Sequence, residues 1–134
     1  MISASRHRFA FRIALTVLAA GVLPSAAADT PDMRGGPFTM QGGEAVYRGV
    51  CQGCHMADAK GAVGAGIYPA LANNSRLASA GYVLSMVMNG HKGMPPFRGH
   101  FTNLQVADVV NYIRTHFGNH YKSQVQEADV QSLR

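Results

Sequence analysis

A chain of 134 residues has room for one domain. Twelve Lys and Arg stand against seven Asp and Glu, a formal charge of +5, yet no basic run or Lys/Arg stripe marks a nucleic-acid surface. No segment beyond the first thirty residues is apolar for the ~20 positions that a membrane span requires.

The chain opens on Arg6, Arg8 and Arg12, an apolar run from Ile13 to Leu23, and then Pro24-Ser25-Ala26-Ala27-Ala28. A basic start, an apolar run of about 7–15 residues and a small-residue end describe an export signal, so residues 1–28 are expected to be cleaved and the remainder to be soluble and periplasmic. Three of the twelve basic residues and none of the acids lie in that leader. The remaining 106 residues then carry nine bases against seven acids, so most of the basicity belongs to export. The small positive balance left over helps docking on an acidic partner only weakly.

Residues 29–41 hold Pro31, Gly35, Gly36 and Pro37 without a hydrophobic period and read as a mobile arm. A first helix is expected from about Glu44 to Cys54, with Val46, Tyr47 and Val50 at helical spacing. Residues 56–74 are rich in Gly and read as a long, functional loop. A second helix fits Ser79 to Asn89, with Val83, Met86 and Val87 on one face and Gly90 as its stop. Residues 90–100, GHKGMPPFRGH, are again loop. Thr102 and Gln105 form a capping box for a last helix, whose face Val106, Val109, Val110, Ile113 and Phe117 ends at Gly118. Residues 119–134 are polar and read as a loosely packed tail with a short helix near Val125 to Leu133. With no period-2 strand pattern, the expected class is all-α: three to four helices with long loops, in a domain over 42–118.

Both cysteines fall in Cys51-Gln52-Gly53-Cys54-His55. A disulfide here would close a tiny loop inside a helix and constrain almost nothing of the unfolded chain. A zinc site needs further ligands at regular spacing, and the other histidines are scattered. A redox dithiol belongs at a helix N-terminus on a βαβ scaffold, whereas this pair sits at a helix end, where the dipole opposes thiolate formation. C-x-x-C-H is the signature of covalent haem attachment. At about 100° per residue, Cys51, Cys54 and His55 fall within an arc of about 100°, so both thiols can reach the two vinyl groups of one porphyrin edge while His55 meets the iron. The other ring nitrogen of His55 then needs an acceptor.

A haem with one protein ligand binds small molecules; one with two carries electrons. Met94, 39 residues after His55, lies in a loop between Gly93 and Pro95-Pro96. There a glycine permits close approach and prolines stiffen the chain. His91 and His100 flank the same loop and are alternatives. Met33 and Met40 lie in the arm, Met56 adjoins His55, and Met86 and Met88 read as helix packing or haem-edge contacts. His116 and His120 read as exposed residues near the end of the last helix.

On these residues the chain resembles the class I c-type cytochromes from about Gly42 to Gly118. Gly43 and Tyr47 precede Cys51 as a Gly and an aromatic do in that family. The resemblance implies that the first helix crosses the last there, with Tyr112 as partner. IYPALANN is similar to the post-haem segment, implying that the Pro69 carbonyl receives the ligand histidine. VMNGHKGMPPFRGHFTNLQVADVVNYIR is similar to the methionine loop and last helix, implying Met94 as axial ligand. The form of GHKGMPPFRGH and the ending THFGN resemble cytochromes that accompany periplasmic dehydrogenases of alcohols, aldehydes, sugars or sugar acids. The implied function is that of a non-enzymatic monohaem carrier or subunit with His55 and Met94 on the iron of one haem c. It would take electrons from such a dehydrogenase and pass them to a terminal oxidase or another cytochrome. The rival expectation is a ligand-binding or peroxidatic haem protein with an open sixth position.

Overall fold

The computed structural model describes residues 38–64 and 66–134. The expected leader (1–28) and residues 29–37 of the expected arm lie outside the described residues.

The first helix is one coil in three parts: α1 (Gly43–Val46), a π-helical stretch (Tyr47–Cys51) and α2 (Gln52–His55). It runs one residue further at each end than its hydrophobic spacing predicts. The π-turn, with its i→i+5 bonds, is absent from a 3.6-residue reading; such turns are rare and frequent at functional sites. Cys51 itself keeps α-helical angles, so the arc holding Cys51, Cys54 and His55 survives. Met56, at φ 65, ends the helix, and its carbonyl accepts the Tyr47 hydroxyl at 2.7 Å.

The 56–74 stretch is loop, with one correction. Ala62–Val63 (β1) and Ile67–Tyr68 (β2) pair antiparallel, Ala62 opposite Tyr68 and Val63 opposite Ile67. Two residues per strand are too few for a period-2 pattern to register. A 3₁₀ turn, Ser75–Ala78, leads into α3 (Ala80–Asn89), capped by the Ser79 hydroxyl, which accepts from the Tyr82 N–H at 3.3 Å. Met88, on α3, is fully buried in the core.

The last major helix, α4 (Asn103–Thr115), carries the capping box in full. Thr102 Oγ1 accepts from the Gln105 N–H and Gln105 Oε1 from the Thr102 N–H. Val106, Val109, Val110 and Ile113 are buried along one face. The helix ends at Thr115, before the expected Gly118. Phe117, expected on the helical face, lies beyond it at φ 57 and folds back so that its ring sits 4.8 Å from Tyr47.

The core forms where α1 crosses α4. Val46, Tyr47, Val106, Val109 and Val110 are almost wholly excluded from water there. Each contributes about 1.5–3 kcal/mol by leaving it. Gly43 is pressed so close to α4 that a Cβ would collide with the Asp108 carbonyl and the Tyr112 Cβ. Tyr47 and Tyr112 rings meet at 5.8 Å. The crossing implied by the resemblance is therefore formed by the residues it named.

Two expectations of looseness are corrected among the described residues. Phe38, at the end of the expected arm, is buried with its ring 5.1 Å from Phe101. Gln105 Nε2 donates to the carbonyls of Phe38 (2.7 Å) and Met40 (2.8 Å). Residues 119–134 are docked as well: Val125 and Val130 are buried, and α5 (Glu127–Gln131) packs on α4. The Asn111 side chain brackets Val125, donating to its carbonyl and accepting from its N–H. Polar side chains hold this segment, which is why its low apolar content misleads. Among the described residues no helix is long and apolar enough to cross a membrane.

Candidate haem-binding site

The site begins at the end of the first helix. His55 is buried, Cys51 half-buried and Cys54 exposed. The Tyr47 anchor against α4 fixes the helix that bears all three. His55 Nδ1 lies 2.9 Å from the Pro69 carbonyl oxygen. Proline's carbonyl accepts from a neutral imidazole N–H, which leaves Nε2 as the nitrogen available to a metal.

The chain between them is closed on itself. The Gly61 N–H donates to the His55 carbonyl at 3.1 Å, and the Leu71 and Ala72 N–H groups donate to the Ala59 carbonyl at 2.8 and 2.9 Å. Gly61 sits at φ 69, where a Cβ would collide with the Tyr68 carbonyl oxygen. The sequence signalled this loop by its glycines, but not that Gly61 in particular is pressed against the strand leading to Pro69.

Burial, and then the neighbouring Cys54, push the Cys51 thiol up to about 12. That is the reverse of what a disulfide-exchanging thiolate needs, which is a depressed pKa. Cys51 is thus not poised for disulfide exchange.

Met94 lies in a tight turn. The His91 N–H donates to the Met94 carbonyl and the Met94 N–H to the His91 carbonyl, both at 3.0 Å. Its side chain is partly buried and packs on the hydrophobic core. A glycine outside the Gly93–Pro95 stretch permits the turn, namely Gly90 at the end of α3. Gly90 has φ 70, and a Cβ there would crowd Pro96 N and the Pro95 carbonyl carbon, whereas one at Gly93 would meet open space. The base of the loop is closed by Phe97 N–H donating to the Val87 carbonyl (3.0 Å) and Arg98 N–H to that of Met88 (3.2 Å). His91 is exposed and His100 partly so, its ring 6.1 Å from Phe38. His116 and His120 are exposed, as expected.

The residues present fit a covalently held haem. Two thiols and an imidazole share one helix end, the imidazole is already oriented by a carbonyl, and a thioether is held in a closed turn. Val63 and Ile67, on the hairpin between His55 and Pro69, are 85% and 80% exposed. Such apolar exposure beside an attachment motif is surface that an apolar group can cover.

The family model described as cytochrome c oxidase, cbb3-type, subunit III, matches residues 38–113. This chain belongs to the class I c-type cytochromes. Their haem c is held covalently, and the cytochrome transfers electrons. Two curated relatives are cytochrome subunits of dehydrogenases. The fructose dehydrogenase cytochrome subunit of Gluconobacter japonicus is 32% identical over 92 residues, covering 58% of this chain and 19% of the relative. The cytochrome c subunit of the quinone alcohol dehydrogenase of Gluconobacter oxydans (strain 621H) is 30% identical over 105 residues, covering 69% of this chain and 22% of the relative. The cytochrome thus spans about a fifth of the length of the relatives it matches.

Sequence reasoning missed three contributors to this framework. Arg114 is buried on α4, donating to the Leu77 carbonyl at 2.9 Å and to the Ser123 hydroxyl at 2.7 Å. Its helical spacing from Ala107 and Val110 was the available signal. Asn119 is buried and donates to the carbonyls of Leu71 and Ile113, tying the end of the histidine loop to α4. Gln105 was assigned one role, the cap, and fills a second with its amide nitrogen.

Proposed function

We propose that the chain is a periplasmic monohaem electron carrier in which Cys51 and Cys54 hold the haem while His55 and Met94 ligate its iron. The observation that carries this reading is the 2.9 Å contact of His55 Nδ1 with the Pro69 carbonyl at the end of a C-x-x-C-H helix. The haem, when bound, supplies a one-electron couple. Pro69 holds the Nδ1–H tautomer, aims Nε2 and raises its basicity as a ligand. The two cysteines fix the macrocycle by thioethers, so that the cofactor does not exchange during turnover. Met94 brings a soft sulfur, which favours reduced iron and raises the potential.

Residues 1–28 act as the export leader, after whose removal no stable membrane insertion remains. The two relatives favour a dehydrogenase of the alcohol or sugar class as electron donor, with a terminal oxidase or another cytochrome as acceptor. The chain is then a carrier or an electron-transfer subunit and not itself an enzyme.

The test is the absorption spectrum of the haem-loaded protein. A low-spin reduced form that ignores carbon monoxide is expected, and Met94→Ala should lower the potential and open the iron to carbon monoxide. Prompt carbon monoxide binding by the unaltered protein would move the reading to a ligand-binding or peroxidatic haem with an open sixth position.

A further inference from the structure

The family match ends at residue 113, yet the segment beyond it makes a concentrated set of polar contacts with the methionine loop. Arg134 donates through Nη2 to the Phe101 carbonyl at 2.7 Å, through Nη1 to the Arg98 carbonyl and through Nε to Asn103 Oδ1. Arg98 answers: its Nη1 donates to the Arg134 carbonyl at 2.9 Å, and its Nη2 to Asn89 Oδ1 at 2.8 Å. Asn103 Nδ2 donates to Gln131 Oε1 at 2.7 Å. Behind these contacts Val130 is wholly buried, and Val125 is bracketed by Asn111.

The strap formed by residues 124–134 therefore ends on the stretch 98–103, which joins the Met94 turn to α4. That stretch is the return limb of the loop. Its first residues are bonded to the end of α3, and its Phe101 stacks on Phe97 at 4.9 Å between ring centroids. Among the described residues the backbone bonds of the turn bearing Met94 close inward: His91 and Met94 bond each other. Its place is set by its base, and Arg134 grips one limb of that base.

We propose that Arg134 is a positioning residue for Met94, and that the strap of residues 124–134 keeps the methionine turn seated against the haem iron. A guanidinium fork is suited to this because it can hold several oxygens in fixed geometry, which a lysine ammonium cannot. The inference rests on the reading of Met94 as axial ligand. It requires no contact between Arg134 and the cofactor. When the strap lifts, the base of the turn loses the support of Arg134, and the thioether yields to competing ligands.

The experiment uses haem-loaded protein and three forms: unaltered, Arg134→Ala and Arg134→Lys. Imidazole is added to the ferric protein, and its binding is followed by loss of the weak near-infrared band of thioether-bound ferric haem. Arg134→Ala should bind imidazole about fivefold more tightly, the effect of losing charge-assisted hydrogen bonds at an exposed site. Arg134→Lys should fall between the other two. Far-UV circular dichroism should be unchanged in all three, because the altered side chain is exposed and lies outside every helix. If Arg134→Ala lowers the melting temperature but leaves imidazole affinity unchanged, the strap is structural only and the proposal is overturned. If the unaltered protein lacks the near-infrared band, the assignment of Met94 itself fails, a different result from an intact band that ignores Arg134.

Discussion

The histidine and methionine limbs of the site are built on different principles. The histidine limb is mostly local, with Asn119 tying its far end to α4. His55, Ala59, Gly61, Pro69 and Leu71 close it with bonds spanning 6 to 14 residues, and each partner lies within the same loop. The methionine limb is assembled from afar. Its base is bonded to Val87 and Met88 of α3 nearby, and it leans further on the remote Phe38, whose ring packs against Phe101, and on Arg134. Both loops are pinched by a glycine at positive φ, Gly61 at 69° and Gly90 at 70°, each with carbonyl oxygen where a Cβ would stand. On the proposed ligation, the same device serves a mostly locally held residue, His55, on one side and a remotely supported one, Met94, on the other. A locally closed loop keeps its geometry while the rest of the fold breathes; a loop fixed by remote contacts reports on the whole molecule.

The sharpest test of that contrast is the matched pair Gly61→Ala and Gly90→Ala. Each should cost about 2–3 kcal/mol in a denaturant melt of the haem-loaded protein, combining left-handed backbone strain with a collision. Gly90→Ala should also open the iron to exogenous imidazole, whereas Gly61→Ala should not. Equal ligand affinity in the two variants would end the distinction. Next in size is Gln105→Ala, which strips the carbonyls of Phe38 and Met40 of their donor and removes half the capping box. A loss of about 2 kcal/mol is expected, and the methionine limb should loosen with it because Phe38 packs on Phe101. Thr102→Ala removes only the cap and should cost about 1 kcal/mol without changing imidazole affinity.

Tyr47→Phe probes the histidine limb most gently. It keeps the ring and deletes the hydroxyl that donates to the Met56 carbonyl, for about 1 kcal/mol at neutral pH. Burial, followed by Cys51, Tyr112 and Asp58, pushes Tyr47 up to about 12 from an ordinary 10.0. A folded value above the unfolded one means that its contribution is complete below pH 10 and is lost as pH rises towards 12. Melts of the unaltered protein should therefore decline between those values. The Tyr47→Phe protein should decline less steeply, and an identical slope would assign the alkaline loss to other groups.

Legibility in the sequence follows the same divide. Cys51, Cys54 and His55 declare themselves by spacing, because the chemistry demands adjacent positions on one helix end. The capping box and the buried stripe of α4 were equally plain, being local and periodic. Pro69, Tyr112 and the Gly43 crossing came from resemblance; no spacing rule connects residues so far apart, and the structure forms each of those contacts. Gly90, expected only as the stop of α3, is the glycine of this loop at positive φ, since a sequence shows where glycines are but not which one takes that conformation. The tail was read as loose because it is polar. Beside the buried Val125 and Val130, its contacts are hydrogen bonds with Asn111, Arg98 and Arg134, and two apolar positions make no hydrophobic pattern. The π-turn at Tyr47–Cys51 was illegible for a similar reason, as no residue type specifies it.

The crossing of the first helix with α4 also has a meaning in time. Residues 51–55 precede the start of α4 by about fifty positions, so a chain delivered from its N-terminus displays both thiols before the helix that seals Tyr47 exists. Once the crossing closes, Cys51 is half-buried with its thiol pushed up to about 12, and its nucleophilicity is largely gone. On the proposed attachment through Cys51 and Cys54, bond formation to the cofactor belongs to the open chain and packing to the finished one. Alkylation of folded apoprotein should accordingly be slow at Cys51 and fast at exposed Cys54, and equal rates would remove the ordering.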